Sequence, residues 1–529
     1  MKNLFMPDLT HDYYVEIARQ LTEMGHSIRA IGAGKSPEYW PSTLNELIEA
    51  EKPTVTLWDD FNLPEKFEKI LDPDYSVLNS RVFTELAYYE KMFLLSTDRL
   101  AFVPISQIDR SRLFYRFIGH FYKILKKENI DGVVFFGTPH GLWSIALFGL
   151  AKAMDLKTLY VDWVALSPDL STIETELHIR RGYSMRQLEL GLEANGNESR
   201  QIHDVVARTA NAKFVWTATK HISLPKIYLR AIASLVFRKP FGEYISPEFF
   251  LNSGNRARIS YIPSLIKYFV GVGKTLRYYE NNTSEAMPDK DSLVLFLAHQ
   301  PEAATMPLGG EFADQLLVLD LILQALPKNM NVFIKEHPFM FGHTVDIGQD
   351  RHERSVAYYR HMLKDRRVRF VKRTVPSSEL VEKAGYVASI GGSISWEAMR
   401  AGKPCIIFGW SWYAGCKSCF SVDSVEALKS AFREAVAKDR GAVLEDVREF
   451  LETFERRLIL APSCRSALHY LGTDYQYRKS VKNLSRAIDI SLTEGASTVG
   501  DAQSRVTSEG ILDPIAQKLL TRETDHGHH

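Results

Sequence analysis

Residues 386–408 read Tyr-Val-Ala-Ser-Ile-Gly-Gly-Ser-Ile-Ser-Trp-Glu-Ala-Met-Arg-Ala-Gly-Lys-Pro-Cys-Ile-Ile-Phe. The apolar runs at 386–390 and 405–408 are short and continuous, which is typical of strands buried on both faces. The segment 394–400 between them predicts a helix, and two glycines lead into it. Because parallel strands need a crossover connection, usually a helix, this unit predicts a parallel α/β sheet.

The same alternation of strand and helix continues outward on both sides of this unit. Further strands are predicted in the second half at 293–297, 332–335 and 368–371, with helices at 314–325, 354–364 and 378–383. The first half shows the pattern as well, with strands at 4–6, 27–31, 132–136 and 157–161 and helices at 10–24 and 142–154. We therefore expect an α/β protein with two Rossmann-like, doubly wound domains that face a cleft.

The chain has 529 residues, which allows two to four domains. We predict a first domain at 1–288 with a helical insertion at about 166–288, a second domain at 289–475, and a helical, partly mobile tail at 476–529. The formal net charge is +1, which argues against a nucleic-acid partner bound through a global positive field. No stretch approaches about 18 consecutive apolar residues, so a cytoplasmic location is expected.

The first motif is Lys335-Glu336-His337-Pro338, directly after the predicted strand 332–335. In open α/β sheets, ligands bind at the edge where strands end. Lys335, Glu336 and His337 are therefore candidates for holding a phosphate group. The alternative is a polar loop in which Pro338 only stops the strand.

The second motif lies between the strand 386–390 and the following helix. Glycines allow a ligand to approach the backbone closely, and Ser393 is expected to cap the helix, whose first N–H groups attract anions. In nucleotide-sugar enzymes, a carboxylate placed like Glu397 often binds ribose hydroxyls. The alternative is ordinary capping with Glu397 on a solvated face. The donor-binding candidates in this motif are Gly391, Gly392, Ser393, Ser395 and Glu397.

The third motif is the loop from His299 to Gln315, which is too long and too polar for a simple connection. His299 and Glu302 are candidate acid/base or acceptor-binding groups. Gln300 and Thr305 are expected to line the same cleft. The alternative is a loop whose prolines and glycines only shape it.

In the first half, His140 follows the strand 132–136, and Asp162 follows the strand 157–161. Both are candidates for the acceptor side of the cleft, although a lone loop histidine is more often structural. We predict no metal site. The only Asp-x-Asp, at 72–74, is typical of a turn, and the single Cys-x-x-Cys at 416–419 lacks a second ligand pair.

Two stretches, 226–239 and 261–277, mix aromatic and basic residues at roughly helical spacing. One interpretation is a surface that rests on an anionic membrane, which would place the protein on the inner face of the cytoplasmic membrane. The other is a pair of amphipathic helices that pack on a core.

The order and spacing of these motifs resemble bacterial capsule and surface polysaccharide biosynthesis proteins, a group that includes retaining β-Kdo transferases. The residues that carry the resemblance are the loop from His299 to Gln315, the Lys335–Pro338 turn, and the segments Ser395-Trp-Glu-Ala, Gly402-Lys-Pro and Trp412-Tyr413. The resemblance implies a GT-B glycosyltransferase with its donor in the second domain. It also implies that His337 and the turn 391–395 hold the donor phosphate, which for Kdo-type donors belongs to a CMP-sugar.

The leading hypothesis is a glycosyltransferase that moves a sugar from a nucleotide sugar, such as CMP-Kdo, to a capsule, lipopolysaccharide or other surface glycan or glycolipid. His337, Lys335 and Ser393 would stabilise the leaving phosphate without a metal or another cofactor, and His299 and Glu302 would serve the acceptor or the reacting carbon. The alternatives are a polyol-phosphate transferase of the CDP-glycerol type and a non-catalytic partner in polysaccharide assembly or export.

Overall fold

A computed structural model of the chain describes residues 1–33, 40–57, 73–100, 106–175, 177, 202–204, 206, 270–300, 302–338, 340–341, 354–463 and 474–493. The basic, aromatic stretch 226–239 lies outside these residues, as does the stretch 261–277 up to residue 269. Most of the predicted insertion at 166–288, and the tail beyond residue 493, also lie outside them.

The first half of the chain contributes six strands to one sheet. They are β1 (Asn3–Met6), β2 (Ser27–Ala33), β3 (Thr54–Leu57), β4 (Gly132–Phe136), β5 (Lys157–Trp163) and β6 (Leu170–Glu174), joined by β14 (Ile459–Leu460) from near the C-terminus. The strand order is β14-β6-β5-β4-β1-β2-β3, with parallel pairing from β5 to β3 and antiparallel pairing at β6 and β14. The direction of winding reverses between β1 and β4, which is where such sheets bind ligands.

The second half forms a fully parallel sheet of seven strands. They are β7 (Thr283–Ser284), β8 (Ser292–Phe296), β9 (Asn331–Lys335), β10 (Val368–Val371), β11 (Tyr386–Ser389), β12 (Cys405–Ile407) and β13 (Cys419–Ser421), in the order β13-β12-β11-β8-β9-β10-β7. Here the winding reverses between β8 and β11. The two doubly wound sheets confirm the prediction of two Rossmann-like α/β domains.

Helices cover the sheets because buried parallel strands need apolar cover on both faces. In the first half these are α1 (Asp12–Glu23), α2 (Ser42–Glu51), α3 (Ser80–Leu100), α4 (Gln107–Lys127) and α5 (Leu142–Ala153). In the second half they are α6 (Gln315–Ala325), α7 (Val356–Met362), α8 (Ser377–Lys383), α9 (Ser393–Arg400), α10 (Val425–Val436), α11 (Arg440–Phe454) and α12 (Asp474–Thr493). One face of the first sheet packs on an aromatic core that includes Phe93, Phe114, Phe117 and Phe121.

The end of the described chain returns to the first sheet. After α11, strand β14 pairs with β6, and α12 packs against α1. Leu484 and Ile488 of α12 are fully buried in the core of the first sheet. The buried His26 ring faces the Asp489 carboxylate with Nε2 and Oδ1 2.9 Å apart. The sequence predicted a tail from residue 476 onward. Residues 474–493 instead form a helix that packs on the core of the first sheet.

Loops at the carboxyl ends of the two sheets meet. Val164 and Leu170, which flank the turn between β5 and β6, share one hydrophobic cluster with Trp410 and Trp412, which follow β12. On the other side, the Tyr88 hydroxyl of α3 donates to the Pro307 carbonyl at 2.5 Å. The candidate residues of both halves therefore follow the carboxyl ends of the strands, where loops of the two halves contact each other.

Candidate functional site

The three motifs of the second half follow three neighbouring strands. In the order β11-β8-β9, the glycine motif follows β11, the long loop follows β8, and the Lys335–Pro338 turn follows β9. The rings of His299 and His337 lie 5.4 Å apart between centroids. The motifs are thus assembled at the point where the winding of the sheet reverses, although they are spread over about a hundred residues of sequence.

Lys335 is held by backbone carbonyl groups. Its Nζ donates to the carbonyls of Lys372 at 3.1 Å, Arg373 at 2.8 Å and Val375 at 2.8 Å. Burial, with the nearby Arg373 charge, lowers the pKa of Lys335 to about 8. All three ammonium protons are donated, so Lys335 fastens the turn after β10 to β9 instead of contacting a phosphate as its sequence position indicated.

Glu336 is also a structural residue. Its carboxylate is buried and accepts from the His337 backbone N–H at 2.8 Å, from Arg354 Nε at 3.0 Å and from the Tyr359 hydroxyl. The predicted donor-binding role therefore does not suit Glu336, because its oxygens already have strong donors. The bond to the His337 N–H instead orients the turn that presents the His337 ring.

Arg354 extends this contact to the loop after β8. Its Nη1 donates to Gln300 Oε1 at 3.2 Å, and its Nη2 donates to the Ala298 carbonyl at 3.1 Å. Gln315 donates to the same Gln300 oxygen at 2.7 Å, while Gln300 Nε2 donates to the Ala313 carbonyl at 2.7 Å. Gln300, expected to line the cleft, is thus buried in a network that shapes the loop. Sequence reasoning missed Arg354, because no local signal pairs it with Glu336.

Thr305 is fully buried and shapes the same loop. Its hydroxyl donates toward the Glu302 carbonyl at 2.9 Å and the His299 carbonyl at 3.4 Å, and accepts from the Glu302 N–H at 3.2 Å. Thr305 is therefore a structural residue and not a wall of the cleft. Glu302 is exposed.

The two glycines after β11 differ in their surroundings. A Cβ at Gly391 would lie 2.8 Å from the Trp410 carbonyl oxygen, and one at Gly409 would lie 2.9 Å from the Cα of Gly309. These glycines let the loops after β8, β11 and β12 pack backbone to backbone. At Gly392 the nearest atom, on Ile394, would be 3.9 Å away. Gly392 is therefore the glycine with room beside it for a ligand.

Helix α9 begins without a side-chain cap. Gly392 is the N-cap residue and Ser393 is the first helical residue, so the prediction that Ser393 caps the helix is wrong. The Ser393 hydroxyl instead faces Glu397 at 3.4 Å, and burial raises the pKa of that carboxyl group. Ser395 is fully buried against Ser389 at 2.8 Å and plays a structural part. The helix end retains the N–H groups and dipole that attract anions.

The first sheet presents a different chemistry at its carboxyl edge. Asp162 accepts from the Thr138 hydroxyl at 2.8 Å, and the exposed His140 ring contacts the Thr138 carbonyl at 2.7 Å. Burial, together with the charge of Glu174, raises the pKa of Asp162 to about 6. The structure thus connects His140, in the loop after β4, with Asp162, near the end of the neighbouring strand β5, through Thr138.

A second carboxylate at this edge was missed from the sequence. Asp8 follows β1, the strand beside β4. Burial raises the pKa of Asp8 to about 6, although a hydrogen bond from the Thr10 hydroxyl at 3.1 Å acts to lower it. The rule that selected His140, a polar residue just after a buried strand, applies equally to Asp8. The first edge therefore carries two carboxyl groups that titrate near neutral pH.

Two further properties follow from the described part of the chain. Among those residues, no group of three or more His, Cys, Asp or Glu side chains is arranged to bind a metal ion. None of the helices within the described ranges has the length and apolar character needed to cross a bilayer.

No family model and no curated protein matches the sequence. Solved structures similar to this chain include three sugar-nucleotide or glycan enzymes. The β-Kdo 2,4-transferase KpsC of Thermosulfurimonas dismutans is 13% identical, with 62% of this chain and 80% of that chain covered and a TM-score of 0.27. The UDP-GlcNAc 2-epimerase of Neisseria meningitidis, bound to UDP-GlcNAc, is 10% identical, with 93% and 99% covered and a TM-score of 0.19. The catalytic domain of starch synthase IV from Arabidopsis thaliana, bound to ADP and acarbose, is 9% identical, with 93% and 100% covered and a TM-score of 0.27.

Substituting Arg354→Met tests the buried network. It leaves the Glu336 carboxylate buried without its cation, so we expect the free energy of unfolding in urea to fall by about 3–5 kcal/mol. Arg360→Met, at an exposed position of α7, is the matched control and should change it by less than about 0.5 kcal/mol. Equal effects of the two variants would contradict the assigned role of Arg354.

Substituting Asp162→Asn tests the environment of that carboxyl group. Its folded-state pKa of about 6 lies above its ordinary value of 3.8, so the stability it contributes is full at acid pH and lost as pH rises through 6. Asn should therefore stabilise the protein by about 1–3 kcal/mol at pH 8 and very little at pH 4. Urea unfolding across this range measures the difference, with the exposed Asp291→Asn as control. A gain that does not vary with pH would rule out the assigned environment.

Proposed function

We propose that the chain is a glycosyltransferase that moves a sugar from a nucleotide-sugar donor to a capsule, lipopolysaccharide or other surface glycan or glycolipid acceptor. The observation that carries the proposal is the division of chemistry between the two facing sheet edges. The second edge presents a helix that begins without a side-chain cap after β11, and two histidines that follow the neighbouring strands β8 and β9. The first edge presents carboxyl groups that titrate near neutral pH.

The donor side of the proposal is the start of α9 with His337. A displacement at a sugar carbon needs stabilisation of the negative charge on the leaving phosphate, and a helix N-terminus supplies fixed N–H dipoles for it. Gly392 has open space at this point, and Glu397 lies one turn further along for the nucleotide. The motif resemblance favours a CMP-sugar such as CMP-Kdo as the donor.

The acceptor side of the proposal is the first edge with the exposed Glu302. An acceptor hydroxyl must lose its proton, and a general base works best with a pKa near the working pH. Asp162 and Asp8 meet that condition, since burial raises the pKa of each to about 6. His140, which shares Thr138 with Asp162, and His299 in the second half are the groups proposed to bind acceptor hydroxyls.

The proposal includes work in the cytoplasm, on the inner face of the membrane that carries the acceptor. Its support is the sequence of the two basic, aromatic stretches at 226–239 and 261–277. Lipid-linked acceptors are made available at such a surface, and amphipathic basic segments bind anionic lipid headgroups.

Substituting Gly392→Ala tests the donor site directly. The added methyl group meets no atom closer than 3.9 Å, so stability should stay within about 0.5 kcal/mol while the affinity for CMP, measured by calorimetric titration, falls about tenfold or more. Gly391→Ala is the matched comparison. Its methyl group would lie 2.8 Å from the Trp410 carbonyl oxygen, so it should destabilise the fold by about 1–3 kcal/mol. Unchanged CMP affinity in Gly392→Ala would remove α9 from the donor site.

Product analysis tests the reaction class. The protein is incubated with a membrane-derived glycolipid acceptor in two parallel reactions. One contains CMP-Kdo as the donor, and the other contains CDP-glycerol. We expect a new glycosidic bond and release of CMP, and we expect Asp162→Asn to abolish it. A phosphodiester product would instead identify a polyol-phosphate transferase. Tight glycan binding with no product from any nucleotide donor would identify a non-catalytic assembly partner.

A further inference from the structure

A second buried polar cluster, formed by Glu174 and Arg457, lies next to Asp162 in the first sheet. Strands β5 and β6 are antiparallel, with Asp162 opposite Thr172 and Tyr160 opposite Glu174. Side chains alternate between faces along a strand, so Asp162 and Glu174 are diagonal neighbours on one face. The charge of Glu174 consequently acts on Asp162 across the hairpin.

Glu174 is paired with a buried arginine. Arg457 Nη2 donates to Glu174 Oε1 at 3.1 Å, and the two residues are 5% and 1% exposed. The Arg457 guanidinium also lies over the Phe454 ring at 5.3 Å. Taking two charges out of water costs free energy, and their mutual attraction offsets that cost only when both partners remain in place.

The position of Arg457 in the chain gives this pair its significance. Arg457 ends a short 3-10 helix at 455–457, directly after α11, which packs on α9 of the second half. Two residues later begins β14, which pairs with β6 in the first sheet. Arg457 therefore stands at the point where the chain returns from the donor half to the acceptor half.

We propose that Arg457 and Glu174 act as positioning residues for Asp162 and link the acceptor edge to the segment by which the chain returns from the donor half. The inference rests on the proposed function, in which Asp162 takes the proton of the acceptor. Contacts continue from Asp162 to the Thr138 hydroxyl, and from the Thr138 carbonyl to His140. Two neighbouring residues, Glu174 and Asp162, thus lie between the hydrogen bond of Arg457 at the return segment and the contacts of Thr138 with Asp162 and His140.

Charge is the means by which the pair acts. Burial raises the pKa of Glu174, and Arg457 opposes that rise. Arg457 thus favours the ionised form of the Glu174 carboxylate, and the charge of that form adds to burial in raising the pKa of Asp162. Within the described residues, the charged or titratable groups next to Glu174 and Arg457 include Asp162 on β5 and Lys152 on α5, which donates to the Thr175 carbonyl at 3.4 Å.

The test follows the protonation of Asp162 without needing a substrate. The effect of Asp162→Asn on the free energy of unfolding is measured from pH 4 to 8. The unfolded-state pKa of Asp162 is common to all backgrounds, so a movement of the midpoint of this pH dependence reports a change in its folded-state pKa. The same substitution is then made in the Arg457→Met background. Without Arg457, Glu174 takes up a proton more readily and its charge is lost, so the midpoint should move to lower pH.

Three further backgrounds make the result decisive. Arg457→Lys keeps the charge and should restore the midpoint, and the exposed neighbouring Arg456→Met should leave it unchanged. Glu174→Gln removes the acting charge at nearly constant volume, and it should move the midpoint to lower pH even if Arg457→Met does not fold. A merely structural role predicts lower stability at every pH with no movement of the midpoint, and that result in Glu174→Gln would overturn the proposal.

Activity supplies an independent reading. If the protein turns over a nucleotide sugar, the acid limb of the pH profile of kcat/KM should move to lower pH in Glu174→Gln and stay in place in Arg456→Met. If no donor is turned over, the proposed function fails, while the unfolding measurement still decides whether Arg457 and Glu174 control Asp162.

Discussion

The buried pair of Glu336 and Arg354 is the contact on which the organisation of the second half depends. Parallel strands bring their carboxyl ends to one edge of the sheet. The loops that follow the strands need further contacts to hold them in one conformation. Arg354 reaches the turn after β9 through Glu336 and the loop after β8 through Gln300. Such a pair is costly to bury, and every oxygen and N–H of the cluster that meets a partner reduces that cost. The result is a rigid frame that leaves His337 and Glu302 at its surface.

The same principle recurs on the first sheet with different consequences. There the buried pair is Glu174 and Arg457, and Glu174 is a diagonal neighbour of Asp162 on the same face of the sheet. In the second half the frame leaves a helix end without a side-chain cap, which favours an anion. The edge of the first sheet carries Asp162 and Asp8, and burial raises the pKa of each to about 6. The two edges therefore differ in chemistry: one ends in a helix N-terminus without a side-chain cap, and the other carries carboxyl groups with raised pKa values.

Much of the fold follows from local pattern. The strands β8 and β11 and the helix α9 fall within one or two residues of their predicted bounds, because buried strands are short apolar runs between breakers. The part that pattern did not reveal is the return of the chain through β14 to α12. Two residues of strand, Ile459 and Leu460, carry no periodic signal, and the polar face of α12 resembles that of a solvated helix.

The candidate site divides in the same way. Sequence alone determined which motifs lie at the carboxyl edge, and it brought forward His299, His337, Gly392 and Asp162, because strand ends and glycine turns are local features. Tertiary structure alone decided which polar residues are exposed and which have their hydrogen bonds satisfied within the buried networks. Lys335, Glu336, Gln300 and Thr305 look like ligand contacts in sequence, yet their donors and acceptors are satisfied by partners that are distant along the chain or belong to the backbone. Hydrogen-bond satisfaction depends on the whole fold, so no local pattern can reveal it.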